Sequence, residues 1–170
     1  VLSPGGNTRK FKVAFGLVLL VAVGLSLFYS IKRSPAAADA GDCVRFTVVE
    51  RGTAVNAADC ADPDAVFKVA KRLDSIQDDC GSSSDYAEYE WSAGGDGYSL
   101  CLMLNGRVGD CFAGLDLIDL ARRVPCGQAD FEVLQVLDGA TDMSLCPPFG
   151  GVVDGYLYTE PPTVICGKRS

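Results

Sequence analysis

The chain has 170 residues, 48% of them hydrophobic, with eight cysteines, no histidine and a formal net charge of −7. Without histidine, the commonest general base and a common zinc ligand are absent, which excludes any Ser-His-Asp or Cys-His catalytic arrangement. Positions 41–170 hold 21 Asp+Glu against 10 Lys+Arg, a net charge of −11. A surface that acidic repels nucleic acid and anionic headgroups, and favours cations or a basic protein patch.

In chain order, residues 1–12 precede an uncharged run of 19 residues, Val13 to Ile31. At about 1.5 Å per residue, such a run spans the ~30 Å hydrocarbon core of a bilayer as one helix. Arg9, Lys10 and Lys12 before it, against Lys32 and Arg33 after it, place the N-terminus in the cytoplasm. Phe28 and Tyr29 fall where aromatic rings suit the headgroup interface. A cleaved secretory signal is the competing reading, since "SPAAADA" offers small residues of the cleavage type. The run is, however, longer than the ~7–15-residue apolar core of such a signal. Either way, the chain beyond the 32–40 linker is extracytoplasmic, and the expected location is the plasma membrane, crossed once. Within the span, Ala22, Ser26 and Ser30 recur every four residues. They form a narrow small-residue face that permits close helix–helix contact in lipid, although accidental spacing gives the same pattern.

All eight cysteines lie C-terminal to the span, as expected of disulfides in an exported region. They form two sets, Cys43, Cys60, Cys80 and Cys101, then Cys111, Cys126, Cys146 and Cys166, with intervals of 17, 20 and 21 and of 15, 20 and 20. "AGDC" before the first set returns as "VGDC" in the second, and "AVFKVAKRLD" (Ala65–Asp74) returns as "ADFEVLQVLD" (Ala129–Asp138). The chain therefore carries two tandem four-cysteine domains, 41–104 and 109–170, joined by "LNGRVG". So short a connection predicts that they pack together. "GDGYSLCL" around Tyr98 also resembles "VDGYLYTE" around Tyr156, with the following cysteine offset. Four cysteines per domain allow three pairings. We expect first with second and third with fourth, because the midpoint of Cys43 and Cys60 falls at Arg51–Gly52, a plausible hairpin turn. The expected bridges are thus Cys43–Cys60, Cys80–Cys101, Cys111–Cys126 and Cys146–Cys166.

"CVRFTVV" alternates Val44, Phe46 and Val48 on one side, as a half-buried strand does. "VFKVAKRL" fits strand or helix, and "YSLCLML" reads as a buried strand. "SAGGDG" reads as the turn of a hairpin. "LDLIDLARR", taken as the second domain's counterpart of the first strand, is ambiguous, because Leu115, Leu117 and Leu120 suit a strand or a short helix. The expected class is mostly β, with α+β as the alternative, after one transmembrane helix.

"VGDCF" followed by "VPCGQADFEV" resembles the actinobacterial septum-formation and LppU-type envelope proteins. The matching residues are Gly109, Asp110, Cys111, Val124, Pro125, Cys126, Glu132 and Val133. The first domain matches at Gly41, Asp42, Cys43 and Cys60, and the two domains cover about three quarters of the chain. The usual Pro-His after the second cysteine is missing, so no role of that histidine carries over. The resemblance implies a protein held on the outer face of the plasma membrane, and no particular chemistry.

No catalytic residue, metal ligand or cofactor site emerges. There is no Cys-x-x-Cys, and "GGDG" lacks the Lys and Ser/Thr of a phosphate loop. Asp59, Asp62 and Asp64, and then Asp74, Asp78, Asp79 and Asp85, offer oxygen ligands for calcium, but in no standard loop spacing. Tyr86, Tyr89 and Trp91, and then Phe149, Tyr156 and Tyr158, suit either core or contact. The expected function is non-enzymatic. We expect an accessory or scaffolding subunit that binds an integral membrane protein complex, in division and wall synthesis or in a respiratory assembly. A module for a small ligand or cation is the alternative.

Overall fold

The computed structural model describes residues 38–50, 52–81, 85–93, 96–148 and 154–169. The expected span at 13–31, its face Ala22, Ser26 and Ser30, and Phe149 lie outside them. Among the described residues, no helix is long and apolar enough to cross a membrane.

The chain is mostly β. The first unit consists of β1 (Cys43–Val49), β2 (Gly52–Ala58), β3 (Phe67–Leu73), β4 (Ala87–Ala93) and β5 (Asp96–Leu104). The second consists of β6 (Cys111–Ala113), β7 (Arg122–Arg123), β8 (Phe131–Asp138), β9 (Asp154–Thr159) and β10 (Pro162–Arg169). Each unit is one antiparallel sheet, in the orders β2-β1-β3-β5-β4 and β7-β6-β8-β10-β9. Replacing each strand by the one five places later converts the first order into the second, so the cysteine repeat is a repeat of topology. Even the irregularity repeats. The β3–β5 register shifts between Val69 and Lys71, skipping Ala70, and the β8–β10 register skips Leu134. These two residues correspond in the "AVFKVAKRLD" and "ADFEVLQVLD" match.

The repeated Gly-Asp-Cys has a local cause. Asp42 donates its amide to the Asp39 carbonyl at 3.0 Å, and Asp110 donates to Arg107 at 2.9 Å. Each is a four-residue turn whose third position is a glycine of positive φ, +96° at Gly41 and +89° at Gly109, as a type II turn requires. The aspartate carboxylate then accepts the amide of the turn's first residue, Asp39 at 3.1 Å and Arg107 at 2.9 Å. Gly41 and Gly109 also donate to Val69 and Val133, at 2.8 and 2.9 Å. The next residue, cysteine, opens the strand. The motif thus fixes where β1 and β6 begin and docks each onto its neighbour.

Disulfides join Cys43 to Cys60, Cys80 to Cys101, Cys111 to Cys126 and Cys146 to Cys166. In each unit the first bridge ties the start of the opening strand to the chain beyond its hairpin partner. The second anchors a loop to the sheet's fourth-ranked strand, β5 or β10. Closed loops of this size stabilise by roughly 3 kcal/mol each through the unfolded chain.

Three details of the sequence reading change. "LDLIDLARR" is not the counterpart of β1. That counterpart is β6, which stops at Ala113, and residues 114–121 form turns. Gly114 explains the stop, since a Cβ there would lie 2.8 Å from the Leu120 carbonyl oxygen where the chain folds back. Tyr98 and Tyr156 are not equivalent either. Tyr98 lies on β5 but Tyr156 on β9, the counterpart of β4, where strand register matches it to Tyr89 and matches Tyr158 to Trp91. Finally, Val48 lies 76% exposed, because the tip of the β1–β2 hairpin projects past the core. The ambiguous "VFKVAKRL" is the strand β3.

A Cβ at Gly41 or Gly109 would meet nothing within 4 Å, so substitution there isolates the backbone cost. Gly41→Ala and Gly109→Ala should each destabilise by roughly 1–2 kcal/mol. Chemical denaturation checks this, and unchanged midpoints would contradict the turn assignment.

Candidate functional site

One core serves both units. Val44, Phe67, Leu100, Leu102 and Leu104 of the first sheet form a single buried cluster with Phe112, Phe131, Val133, Tyr158 and Ile165 of the second. At its centre the Tyr158 hydroxyl accepts the Leu104 amide at 3.0 Å. Burial pushes the Tyr158 phenol far above the ordinary tyrosine range, so it stays protonated. Asp85 and Leu157 bond reciprocally across the junction, amide to carbonyl at 2.9 Å and amide to carboxylate at 2.6 Å. The Tyr86 hydroxyl donates to the Glu160 carbonyl and accepts the Glu160 amide, at 2.8 and 2.7 Å. Lys71 and Glu160 close this side at 2.9 Å.

The other side is held by Arg123 on β7. Its guanidinium donates to the carbonyls of Asp62, Pro63, Ala65 and Asn105, and pairs with the Asp110 carboxylate at 3.3 Å. Asn105, in the inter-unit connection, donates to the Cys60 and Ala65 carbonyls at 3.0 and 2.7 Å. Sequence reading singled out neither Arg123 nor Asn105. Their one signal is a charged or amide side chain beside the short connection, where loop carbonyls need donors.

The junction presents a cleft of about 170 Å³, lined by Arg45, Phe46, Thr47, Asp64, Val66, Ala121 and Arg122. Phe46 is half-buried and meets the rings of Phe67 and Tyr89 at centroid distances of 5.8 Å. Arg45 lies 3.8 Å from Asp62, and Arg122 donates to the Leu120 carbonyl at 3.1 Å. In the 114–121 turns that lead into Ala121, Leu117 is 56% and Leu120 51% exposed, and Val48, which follows Thr47 on β1, is exposed. The cleft is small against the ~300–1,000 Å³ of sites that enclose organic ligands. It brings together apolar contact surface and a polar rim, the anatomy of a protein contact.

The acidic side chains are engaged in local turns or, for Asp85, across the junction. Asp59 accepts the Ala61 amide, Asp62 accepts that of Asp64, Asp79 accepts that of Gly81, and Asp85 accepts that of Leu157. Asp74 lies 3.9 Å from Arg72, and Asp78 is exposed. Among the described residues, no group of three or more His, Cys, Asp or Glu side chains is placed to hold a metal ion. Of the aromatic residues, Tyr89 and Tyr158 are buried and Tyr86 and Tyr156 half-buried, whereas Trp91 is exposed and stacks on Tyr98.

Tyr158→Phe should cost about 1–3 kcal/mol, since it leaves a buried amide without its acceptor; equal stability of the variant would show that the amide finds another partner. The contact with Glu160 holds the Lys71 ammonium above the ordinary lysine range. Its contribution is therefore present at neutral pH and lost as pH climbs through that raised value. In Glu160→Gln, the Lys71 titration followed by NMR should move down; an unmoved titration would contradict the pairing. Comparison with known proteins finds no similar one: no family model, no curated protein and no solved structure matches this chain.

Proposed function

We propose that this protein is a membrane-anchored, extracytoplasmic protein-binding module, an accessory or scaffolding subunit of a larger membrane complex. The observation that carries this reading is the surface around the Phe46 cleft, where Val48, Leu117 and Leu120 stand exposed on a body otherwise stapled and shared-cored. Exposed apolar side chains next in the chain to the lining of a polar-rimmed cleft fit a contact surface. Four disulfides support an oxidising, extracytoplasmic setting. The apolar run Val13 to Ile31 supplies the anchor. The Gly-Asp-Cys and Pro-Cys residues support membership of the septum-formation and LppU-type envelope proteins, and hence a division or wall-synthesis assembly, with a respiratory complex as the other setting. The module performs no reaction of its own.

The full chain, tagged after Ser170 and extracted gently from its native membrane, should co-purify with one stoichiometric membrane complex. Leu117→Asp with Leu120→Asp, both on exposed turns, should release the complex while leaving the fold intact. Migration of the unaltered protein alone, with no crosslinked neighbour, would overturn the reading.

A further inference from the structure

The repeat puts a disulfide behind the opening strand of each unit, but the two bridges stand in different surroundings. Cys43–Cys60 is covered. Cys43 is buried and Cys60 half-buried, and the Cys60 carbonyl accepts the Asn105 side-chain amide and the Arg107 guanidinium of the inter-unit connection, at 3.0 and 3.3 Å. Cys126 has no such cover. It is the one exposed cysteine of the eight, and its short turn, Cys126–Gln128, buries none of its residues. A Cβ at the neighbouring Gly127 would meet nothing within 4 Å. Cys80, Cys101, Cys146 and Cys166 are all buried.

What the two bridges hold differs as well. Inside Cys43–Cys60, β1 and β2 keep an unbroken register of seven residue pairs, so β2 is held along its whole length. Inside Cys111–Cys126, β6 and β7 share only two, Phe112 with Arg123 and Ala113 with Arg122. Val124 adds one bond, from its amide to the Cys111 carbonyl at 2.9 Å. Yet this loop carries Arg123, whose guanidinium gathers first-unit carbonyls, and also Ala121 and Arg122, which line the cleft. A ladder of two pairs is too short to be stable by itself. The bridge is the tether that keeps these residues seated.

We infer that Cys111–Cys126 is the exchangeable bridge of the four and acts as a thiol-operated latch on the junction. The reductant is a dithiol of the kind carried by thiol–disulfide exchange proteins. One of its thiolates attacks Cys126 Sγ and forms a mixed disulfide as the Cys111–Cys126 bond breaks. Cys111 leaves as a thiolate and takes a proton from water. The second thiolate of the reductant then attacks the reductant sulfur of the mixed disulfide, and Cys126 leaves and is protonated in turn. Two electrons pass from the dithiol, which becomes a disulfide, to the bridge, which becomes two thiols, and the protons given up and taken up balance. Opening frees β7, withdraws Arg123 from the first unit's carbonyls and removes one wall of the cleft. The consequence for docking rests on reading the cleft as a partner surface: that surface is whole only while the bridge is closed.

The full chain in detergent, given dithiothreitol for short intervals under native conditions, then alkylated and mapped by peptide mass, tests the exchange. Cys111 and Cys126 should be labelled roughly tenfold sooner than the other six cysteines. Opening of another bridge first, or of all four together, would overturn the inference. Hydrogen exchange tests the latch. In the chain reduced at this bridge alone, and in Cys111→Ser with Cys126→Ser, segment 112–125 should exchange faster, whereas Cys43→Ser with Cys60→Ser should leave β2 protected. Selective reduction of the unaltered chain keeps the test standing if a variant fails to fold. Equal protection of 112–125 with the bridge open and closed would overturn the latch. Neither readout needs a partner, so their failure is distinct from a failure of the partner reading.

Discussion

The bond from the Leu104 amide to the Tyr158 hydroxyl joins the last strand of one unit to the ninth strand of the chain, at the centre of one core. The constraint behind it is size. A unit of about 60 residues buries too small a fraction of its surface to be stable alone, and such units need staples or partners. Here each unit has both: two disulfides inside it, and the other unit across the junction. Because the core is common, its rim must satisfy backbone groups from two loops at once. Arg123 does this on one side, where its guanidinium gathers four carbonyls of the first unit and the connection. Asp85, Tyr86 and Glu160 do it on the other.

Much of the architecture was legible in the cysteine intervals and the repeated tetrapeptide, because both are consequences of local geometry. A type II turn needs glycine at Gly41 and Gly109, its aspartate caps the turn, and the cysteine starts the strand. The features hidden from sequence reading lie where the units depart from one another. β6 is cut to Cys111–Ala113, so the leucines of "LDLIDLARR" became turns instead of a long first strand. A repeated Asp-Gly-Tyr misleads, because Tyr98 and Tyr156 occupy adjacent but non-equivalent strands. Arg123 and Asn105 carry no periodic signal, since their role comes from carbonyls supplied by a loop some 40 to 60 positions away.

The candidate site was the least visible part. Alternation in "CVRFTVV" predicts Phe46 and Val48 on one buried side, and the structure divides them, Phe46 against the rings of Phe67 and Tyr89 and Val48 in solvent. The cleft exists only because the second unit's Ala121 and Arg122 meet the first unit's β1. It is therefore a product of the junction, and a partner docked there would read the two units as one surface.

That dependence makes native-state hydrogen exchange across a denaturant series the most direct test. The amides of Val69 and Val133 occupy equivalent places, bonded to the Asp42 and Asp110 carbonyls. With a common core, both should open with the same free energy and the same denaturant dependence, in a single global event. If one unit's amide opened at lower free energy while the other stayed protected, the units would be independent domains in mere contact, and the account of a shared core would fail.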